Sequence, residues 1–443
     1  MKIELEKPAI QLDFSYSNFN QSFCDDNSIG IDAAFVELDK IESGEIMNQT
    51  EARMVGHYWL RDAELAPTAE IKKEIESVRV KVDTLVAELK DSKFKNILLI
   101  GIGGSALGPQ FIARALRYKL KRKIFFFDNT DPEGYEDTLA EIDDLSATLS
   151  IVVSKSGGTP ETYNGMRVAE YAYSQEDLDF AKHAMAITMP DSKLGTIAKD
   201  NKWIAVVPMF DWIGGRTSIW SAVGLLPLGL LGMDSESFLA GAKDIDLVGR
   251  SKDLSQNPAM LLALFWLQQT KGVAAKNMIV LPYSDRLELF SKYLQQLVME
   301  SLGKELDRSG KTVNQGITVL GNKGSTDQHS YIQQLREGPN DFFASFVKCT
   351  ETNSKFNIKL DEKLSVEDYL DSFFQGTRKA LNDNGRESLS IYIPQVDEYY
   401  LGALIALYER AVSFYASFVN VNAYDQPGVE AGKLAANEFL AKK

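Results

Sequence analysis

The sequence contains little cysteine, and this limits both its redox chemistry and its location. Its 443 residues include two cysteines, Cys24 and Cys349, which are too few for a disulfide framework. Its first ten residues, MKIELEKPAI, mix charged and apolar side chains where a secretory signal would have a continuous apolar segment. We therefore expect a cytoplasmic protein.

Histidine is also scarce, which argues against a multi-histidine metal centre. The chain has three histidines: His57, His183 and His329. Structural and catalytic zinc sites commonly draw several imidazole ligands together, so we expect no such site and no metal. Three acidic residues, Asp128, Asp131 and Glu133, offer oxygen ligands to a hard cation, but the same residues are typical of a solvated turn.

Membrane-spanning apolar segments and a surplus of positive charge are absent as well. Residues 219–233 form an uncharged apolar stretch, but it includes Pro227 and is shorter than the roughly 20 residues that span a bilayer. The run 399–419 is longer but carries Glu409 and Arg410, which predicts a buried helix. The net charge of −14 disfavours nucleic acid and anionic membrane, because both bind basic surfaces. We expect neither as a partner.

The remaining composition is that of a globular α/β protein. The chain is 44% hydrophobic and 25% charged, with a length typical of two or three domains. Residues 1–94 lack strong strand patterns, and the helical spacing of residues 68–91 predicts a helical N-terminal lead-in. Short apolar runs alternate with helical patterns over 95–245 and again over 255–420, before a helical tail at 421–443. This alternation predicts two α/β domains, each a mainly parallel sheet flanked by helices.

One polar loop in the first domain has the features of an anion site. Residues 154–162 read SKSGGTPET and directly follow the apolar run LSIVV. Thr159, Pro160 and Glu161 form the pattern of a helix start: a cap, a proline at the first position and an acid in the first turn. Hydroxyl groups beside a helix N-terminus bind phosphate or carboxylate. A turn without a ligand is the alternative interpretation.

A second glycine-rich loop fits two interpretations. The sequence GIGGSALG at 101–108 matches the dinucleotide fingerprint through Gly101 and Gly103, with Asp128 at the end of the next strand. Taken alone, this pattern predicts an NAD-dependent dehydrogenase. The fingerprint leaves Ser105 unexplained, however, and this hydroxyl would lie beside the SKSGGTPET loop if the two preceding strands are neighbours. In that arrangement the hydroxyl groups converge on one phosphate.

Six ordered motifs between residues 101 and 433 resemble those of the glucose-6-phosphate isomerase family, also called phosphoglucose isomerase. They are GIGGSALGP, SKSGGTPET, DWIGGRTSIWSAVGLLP, MESLGK, GNKGSTDQHSYIQQLREG and DQPGVEAGK. The resemblance covers most of the chain and favours the compact bacterial form. It implies two sugar-isomerase domains, a homodimer with the active site at the interface, and reversible conversion of glucose 6-phosphate to fructose 6-phosphate in glycolysis and gluconeogenesis, without a cofactor.

The resemblance assigns the catalytic base to Glu300. Exchange between an aldose and a ketose moves a proton between C2 and C1 through an enediolate, and this requires a base held in a cleft. Helical spacing predicts that Glu300 shares one face with Leu289, Tyr293 and Gln296. The resemblance makes Gln296 a substrate contact, whereas spacing alone would leave Glu300 a solvated side chain near a helix end.

The resemblance also assigns Arg216 to the enediolate. A guanidinium stabilises developing negative charge while remaining protonated itself, which suits an intermediate that must not be quenched by an acid. Without the resemblance, an ion pair between Arg216 and Asp211 is an equally good interpretation.

Ring opening falls, by the same resemblance, to His329 and Lys433. His329 follows Ser325, Thr326 and Asp327, which predict a helix start, and a positive helix terminus would favour a neutral imidazole. In the family this histidine comes from the partner subunit, so a monomer should be inactive. Lys433 lies one helical turn beyond Glu430, and a surface salt bridge is the alternative there.

The remaining implied contacts bind the substrate. Gln426 would contact the sugar, and the phosphate would be held by Ser105, Ser154, Ser156 and Thr159, with the backbone N–H of Lys155.

Two other functions stay open besides the dehydrogenase. A non-enzymatic sugar-phosphate sensor would keep the 154–159 loop but has no use for the base, the guanidinium and the histidine together. An isomerase of amino-sugar or mannose phosphates is the third, although the chain has no N-terminal glutaminase cysteine.

Overall fold

The computed structural model describes residues 1–352 and 354–443, which form a helix-rich α/β protein. The strands are β1 (Lys2–Glu4), β2 (Gln11–Asp13), β3 (Asn96–Ile100), β4 (Lys123–Phe127), β5 (Thr148–Val153), β6 (Ala184–Thr188), β7 (Ala205–Pro208), β8 (Asn277–Tyr283), β9 (Lys304–Leu306), β10 (Thr312–Gln315), β11 (Val319–Gly321), β12 (Phe342–Cys349) and β13 (Ser388–Ile393). The helices are α1 (Gln21–Asp26), α2 (Ser28–Glu42), α3 (Ala69–Leu89), α4 (Leu107–Ala115), α5 (Pro132–Glu141), α6 (Pro160–Gln175), α7 (Lys193–Asp200), α8 (Ala222–Leu230), α9 (Ser235–Gly249), α10 (Pro258–Thr270), α11 (Phe290–Leu294), α12 (Ile332–Glu337), α13 (Val366–Asn382), α14 (Glu398–Phe418) and α15 (Pro427–Leu440).

The first sheet has the parallel arrangement that the sequence predicts. Its strand order is β4-β3-β5-β6-β7, and every pairing is parallel. Strands β3, β5 and β6 are buried along their whole length, because helices cover both faces of the sheet. The chain crosses from one side of β3 to the other between β4 and β5. The loops after β3 and β5 therefore open into one crevice, the usual ligand position in such sheets.

The second sheet is mixed. Its order is β1-β2-β13-β12-β8-β11; β13, β12, β8 and β11 run parallel, while β2 is antiparallel to both β13 and β1. The predicted helical lead-in is thus corrected at its start, because residues 1–13 cross over and extend the second sheet. A three-residue strand has too few positions to show a period of two, so the pattern search missed both. It also missed β12, a central strand whose almost continuous burial gives no alternation.

Helix α14 lies at the centre of the molecule. Of its 21 residues, 17 are buried, and it packs against α2, α9 and α10. The prediction that Glu409 and Arg410 lie in a buried helix is confirmed. Arg410 bonds to Asp246 (3.0 Å) and Glu42 (2.5 Å), and Glu409 pairs with Arg61 and accepts the Trp220 indole N–H at 2.8 Å. The buried charges are therefore compensated in one network.

The same core continues into both sheets. Leu99 of β3 and Val280 of β8 belong to one hydrophobic cluster that also contains most of α14. The two sheets consequently share a packed interior, although the boundaries 95–245 and 255–420 remain a prediction about domains. None of the helices among the described residues is both apolar and long enough to span a bilayer.

Candidate active site

The SKSGGTPET loop forms a compact hydroxyl cluster at the end of β5. The hydroxyl of Ser154 donates to that of Thr159 at 3.2 Å, and the N–H of Gly157 donates to Ser154 Oγ at 3.1 Å. The N–H of Gly158 donates to Ser156 Oγ at 3.2 Å. Helix α6 begins at Pro160, within the loop, as the sequence predicts, but the predicted cap is corrected, because the Thr159 side chain makes no capping hydrogen bond. A helix N-terminus and three hydroxyl groups thus lie together at the crevice between β3 and β5.

Gly157 explains why this loop can be so tight. Its φ is +69°, and a Cβ at this position would lie 2.4 Å from the backbone nitrogen of Leu194. Both the left-handed conformation and the close approach exclude a larger residue. The loop therefore depends on glycine at this position.

Ser105 reaches the same crevice from the neighbouring strand. Ile100 at the end of β3 pairs with Val152 of β5, so the two following loops start side by side. A Cβ on Gly101 would lie 2.9 Å from Ser105 Cβ and 3.2 Å from the carbonyl oxygen of Val153. The expected adjacency of the two loops is confirmed.

Gly104, which follows the two glycines of the dinucleotide pattern, has a packing role. A Cβ on Gly104 would lie 1.9 Å from the carbonyl oxygen of Gly215, so this glycine permits contact with the loop that carries Arg216. Asp128, the acid that the dinucleotide interpretation requires, accepts a hydrogen bond from Gln110 Nε2 at 2.7 Å. Asp131 caps α5 by accepting the N–H of Glu133, which is the role of a turn residue.

Arg216 connects Glu300 with the segment 423–426. Its Nε lies 3.2 Å from Glu300 Oε2, and its Nη2 donates to Gln426 Oε1 at 2.6 Å. It also donates to the carbonyls of Ala423 (2.7 Å) and Asp425 (3.1 Å). Burial lowers the pKa of this guanidinium, while Glu300 and Asp425 oppose that shift. Arg216 is therefore a fixed, buried cation paired with Glu300, in place of the alternative pair with Asp211.

Glu300 lies on a π-helical turn, which the sequence analysis did not foresee. Helix α11 ends at Leu294, and residues 295–300 continue it with wider, π-type geometry. Of the predicted common face, Gln296 and Glu300 line one cleft, whereas Tyr293 does not, and a wider turn changes the angle between residues before and after it. The Tyr293 side chain is buried near Glu409, with its hydroxyl 3.5 Å from that carboxylate, whereas Glu300 is partly exposed beside Arg216. Single π turns of this kind are frequent at functional sites.

An open cleft brings Glu300 together with the predicted substrate contacts. Gln296, Glu300 and Gln426 line it, together with Gly103 from the loop after β3. A Cβ on Gly103 would approach Gln296 Nε2 to 3.2 Å, which shows how closely the two segments meet. The cleft lies beside the hydroxyl cluster, because Gly103 and Ser105 belong to the same 3₁₀ turn. A ligand that reaches from Glu300 in the cleft to the hydroxyl groups of the SKSGGTPET loop would touch both groups of residues.

The side chain of Lys155 has a role that the sequence analysis did not anticipate. Its Nζ donates to the carbonyls of Asp211 and Ile213 and lies 3.4 Å from the Asp211 carboxylate. Burial and the nearby charge of Arg53 lower the pKa of Lys155, although Asp211 opposes the shift. Lys155 therefore links the SKSGGTPET loop to the segment that precedes Arg216.

His329 and Lys433 are not among the residues that line this cleft in the single chain. The helix start predicted at Ser325 is present, but it begins a 3₁₀ turn of four residues, 326–329, and His329 is the exposed last residue of that turn, so the prediction that it lies beside a positive helix terminus is corrected. The Asp327 carboxylate stabilises this turn by accepting the N–H of Lys323 at 2.9 Å and the Tyr331 hydroxyl at 2.6 Å. Lys433 is exposed on α15 and bonds to Glu430 at 2.7 Å, the surface salt bridge considered above.

Three contributors to the site were missed from the sequence. Lys304, Asp425 and Glu51 surround the Arg216 cluster, and Glu51 Oε1 accepts a hydrogen bond from Gln426 Nε2 at 2.9 Å. Lys304 stands four residues after Glu300 in the MESLGK motif, and that spacing was an available signal. Glu51 gave none, because it is distant in sequence. Among the described residues, no group of three or more histidine, cysteine, aspartate or glutamate side chains is arranged to hold a metal ion.

Comparison with known proteins agrees with this geometry. A family model described as phosphoglucose isomerase matches residues 13–443. A glucose-6-phosphate isomerase of Rippkaea orientalis is 53% identical over 443 residues, covering 98% of this chain and 84% of that protein. A crystal structure of a glucose-6-phosphate isomerase from Chlamydia trachomatis has a TM-score of 0.87 at 26% identity, covering 98% of this chain and 88% of that one. A hypothetical protein, TT0462 of Thermus thermophilus, gives 0.82 at 28% identity over 98% of this chain and all of that one.

The two helix-flanked sheets and the hydroxyl-lined crevice define a protein of the sugar-isomerase α/β class. Within that class, the chain belongs to the phosphoglucose isomerase family. The resemblance seen in the six sequence motifs is confirmed.

Proposed function

We propose that this enzyme interconverts glucose 6-phosphate and fructose 6-phosphate, as expected of its family in glycolysis and gluconeogenesis. The observation that carries the proposal is the cluster of Arg216, Glu300 and Gln426 in a cleft beside a hydroxyl-rich loop. The site has a base, a fixed cation and an amide at one end and a proposed anion-binding loop at the other. This arrangement matches an open-chain sugar phosphate. We also propose a cytoplasmic location, which the low cysteine content supports.

The phosphate is bound, in this proposal, at the shared end of β3 and β5. Ser105, Ser154, Ser156 and Thr159 supply hydroxyl donors, and the N-terminus of α6 supplies N–H groups and the positive end of its dipole. The backbone N–H of Lys155 adds a further donor. Binding of this unreactive group orients the other end of the sugar, so that binding energy supports the chemical step.

The proton transfer is assigned to Glu300. One carboxylate oxygen, Oε2, lies 3.2 Å from Arg216 Nε, which leaves Oε1 for the proton at C1 or C2 of the substrate. Arg216 also donates to three acceptors in the 423–426 segment and to the Ser301 hydroxyl, so it is positioned before the enediolate forms. A preorganised cation costs little reorganisation when negative charge develops. Gln296 and Gln426 contact the sugar hydroxyl groups.

Ring opening is assigned to His329 and Lys433, with the histidine supplied by a second copy of the chain. Both side chains are exposed, and neither lines the cleft in one chain, which supports a site completed by a partner. The surface also offers apolar area for a homodimer. Phe356 is 72% exposed in the segment before α13, and Phe439 is 68% exposed on α15. Ile358 and Leu360, close to Phe356 in sequence, and Leu434 and Leu440, on the same helix as Phe439, are also more than half exposed, and grouped apolar side chains of this kind commonly mark protein contacts.

The function is tested by isomerisation of fructose 6-phosphate in deuterium oxide without added cofactor. We expect deuterium at C2 of the glucose product, because the base exchanges its proton with solvent. Glu300→Gln should lower kcat by about 10²–10⁴-fold, since it removes the general base, and should leave the Kd of the sugar phosphate largely unchanged. Binding is measured by isothermal titration calorimetry.

The matched control is Glu305→Gln, which changes an exposed glutamate on β9 and should preserve turnover. Turnover of Glu300→Gln near the wild-type value would reject Glu300 as the base. A wild-type protein that does not isomerise either sugar phosphate, but binds NAD(H) tightly, would support the dehydrogenase alternative. Tight sugar-phosphate binding without turnover would support the sensor.

A further inference from the structure

Lys304 is a buried cation directly behind the proposed reaction centre. Its side chain is 5% exposed at the start of β9, four residues after Glu300. Its Nζ donates to the carbonyl of Glu300 at 2.8 Å and to the carbonyl of Asp425 at 3.0 Å, and it lies 3.5 Å from Asp425 Oδ1. One ammonium group therefore joins the end of the π-helical turn to the segment that precedes Gln426.

Asp425 is also held by the residues around it. Arg216 Nη2 donates to the same Asp425 carbonyl that Lys304 contacts, at 3.1 Å. The Asp425 carboxylate accepts hydrogen bonds from Thr50 at 2.7 Å and Asn422 at 2.9 Å. The carbonyl of Asp425 is thus bound by two cations, one of which is the proposed enediolate contact. A shift at Lys304 would be transmitted both to Arg216 and to Gln426, which follows Asp425 in sequence.

Keeping a charge at this position is energetically unfavourable unless it is compensated. Burial, followed by the neighbouring Arg216, lowers the pKa of Lys304 to about 8, and Asp425 and Glu300 offset only part of that shift. A residue such as methionine would fill a similar volume without the desolvation cost. The ammonium does, however, satisfy two carbonyl groups at the ends of two segments. The contribution of the Lys304 ammonium is therefore geometric, because it holds these two segments together.

We propose that Lys304 is a positioning residue for the isomerisation, one that fixes Glu300 relative to Arg216 and Gln426 by binding the carbonyls of Glu300 and Asp425. Lys304 itself does not touch the substrate in this proposal. The proposal rests on the function proposed above, since it assumes proton transfer by Glu300. It predicts that loss of the ammonium impairs the proton-transfer step more than substrate binding or ring opening, because misplacement of a base by about 1 Å can cost about 10²-fold in rate.

The test compares Lys304→Met and Lys304→Arg with a buried lysine elsewhere. Lys348 is 4% exposed near the end of β12 and pairs with Glu367, so Lys348→Met removes a buried charge outside the Arg216 cluster. For each protein, kcat and KM for fructose 6-phosphate are measured, together with interconversion of the sugar's ring anomers, which requires ring opening but no C–H cleavage. Thermal unfolding reports stability.

We expect Lys304→Met to lower isomerisation kcat by about 10- to 100-fold, with KM and the anomer rate changed less than about threefold. Lys304→Arg, which keeps charge and donors, should recover to within about tenfold of wild type. Lys348→Met should lose stability but keep kcat within about twofold of wild type.

Equal losses of isomerisation and anomer interconversion in Lys304→Met would overturn the positioning role, as would turnover within about twofold of wild type. If that variant does not fold, Lys304→Gln, which keeps N–H donors, decides by the same split between the two rates. The proposed function itself is judged separately on the wild-type protein: an active wild type with an unaffected Lys304 variant rejects only the role of Lys304, whereas an inactive wild type rejects both.

Discussion

Replacing Gly104 by alanine is expected to separate the two loops that build the cleft. Gly104 lies in the turn after β3, where a Cβ would be 1.9 Å from the carbonyl oxygen and 2.1 Å from the carbonyl carbon of Gly215. Both contacts are with backbone, so no flexible side chain can move aside. The next residue after Gly215 is Arg216. The added methyl group must therefore displace the segment that positions the proposed enediolate contact.

The size of the effect follows from these distances. Ordinary van der Waals contact begins near 3.4 Å, so the loops must move apart by roughly 1.5 Å. Overpacking of this kind typically destabilises a protein by about 1–3 kcal/mol. A displacement above about 1 Å at a catalytic group can also cost about 10²-fold in rate. We expect Gly104→Ala to lose both stability and about two orders of magnitude in kcat, with the larger loss in turnover.

The assay is turnover of fructose 6-phosphate together with thermal unfolding. Gly376→Ala is the matched control, because Gly376 lies in α13, where an added Cβ would have no neighbouring atom within 4 Å, and should gain about 0.5–1 kcal/mol from helix propensity. If Gly104→Ala kept the wild-type kcat and the wild-type midpoint of thermal unfolding, the reasoning that close packing of Gly104 against Gly215 positions Arg216 would be refuted. Lost NAD(H) affinity in the same variant would instead point to the dinucleotide interpretation.

Two further predictions concern assembly and stability. Mixing Glu300→Gln with His329→Ala, each inactive alone, should restore about a quarter of wild-type activity after subunit exchange, because half of the dimers then carry one intact site; no recovery would contradict a histidine from the partner. Glu42→Gln should destabilise the protein by about 3 kcal/mol at pH 7, measured by denaturant unfolding, since Arg410 and Arg250 lose their carboxylate. Burial acts to raise the pKa of Glu42, but Arg410 and Arg250 hold it below its usual 4.5, so the difference from wild type should be constant above that pH and shrink as the pH falls through the lower folded value. If the difference in unfolding free energy between Glu42→Gln and wild type instead grew as the pH fell, the predicted pH dependence would be wrong.

Much of the first sheet could be predicted from the sequence because its signals are local. The apolar runs that form β3, β5 and β6 are fully buried, and the proline and acid of the Thr-Pro-Glu pattern mark the start of α6 at Pro160. The second sheet was predicted less completely. Strands β1 and β2 are short, and β2 pairs with β13, almost 380 residues away in sequence, so no local pattern encodes the pairing.

The proposed site was predicted to a similar extent. Family motifs in the sequence pointed to Glu300, Arg216 and Gln426, and the structure brings these three together. The π-helical turn could not be inferred from spacing, because an α-helical period of 3.6 assigns Glu300 and Tyr293 to the same face. The contact made by Lys304 also depends on tertiary structure, since it joins residue 300 to residue 425.

The sequence by itself determined the class of fold, the family and the residue types available for the chemistry. It could do so because apolar periodicity, cap residues and ordered motifs are properties of neighbouring residues. Only the tertiary structure decided which of those residues meet: that Gly104 serves contact with Gly215, that Arg216 pairs with Glu300 instead of Asp211, and that a buried lysine binds both segments. These outcomes depend on the packing of distant segments around one core, and packing is decided by the whole chain at once.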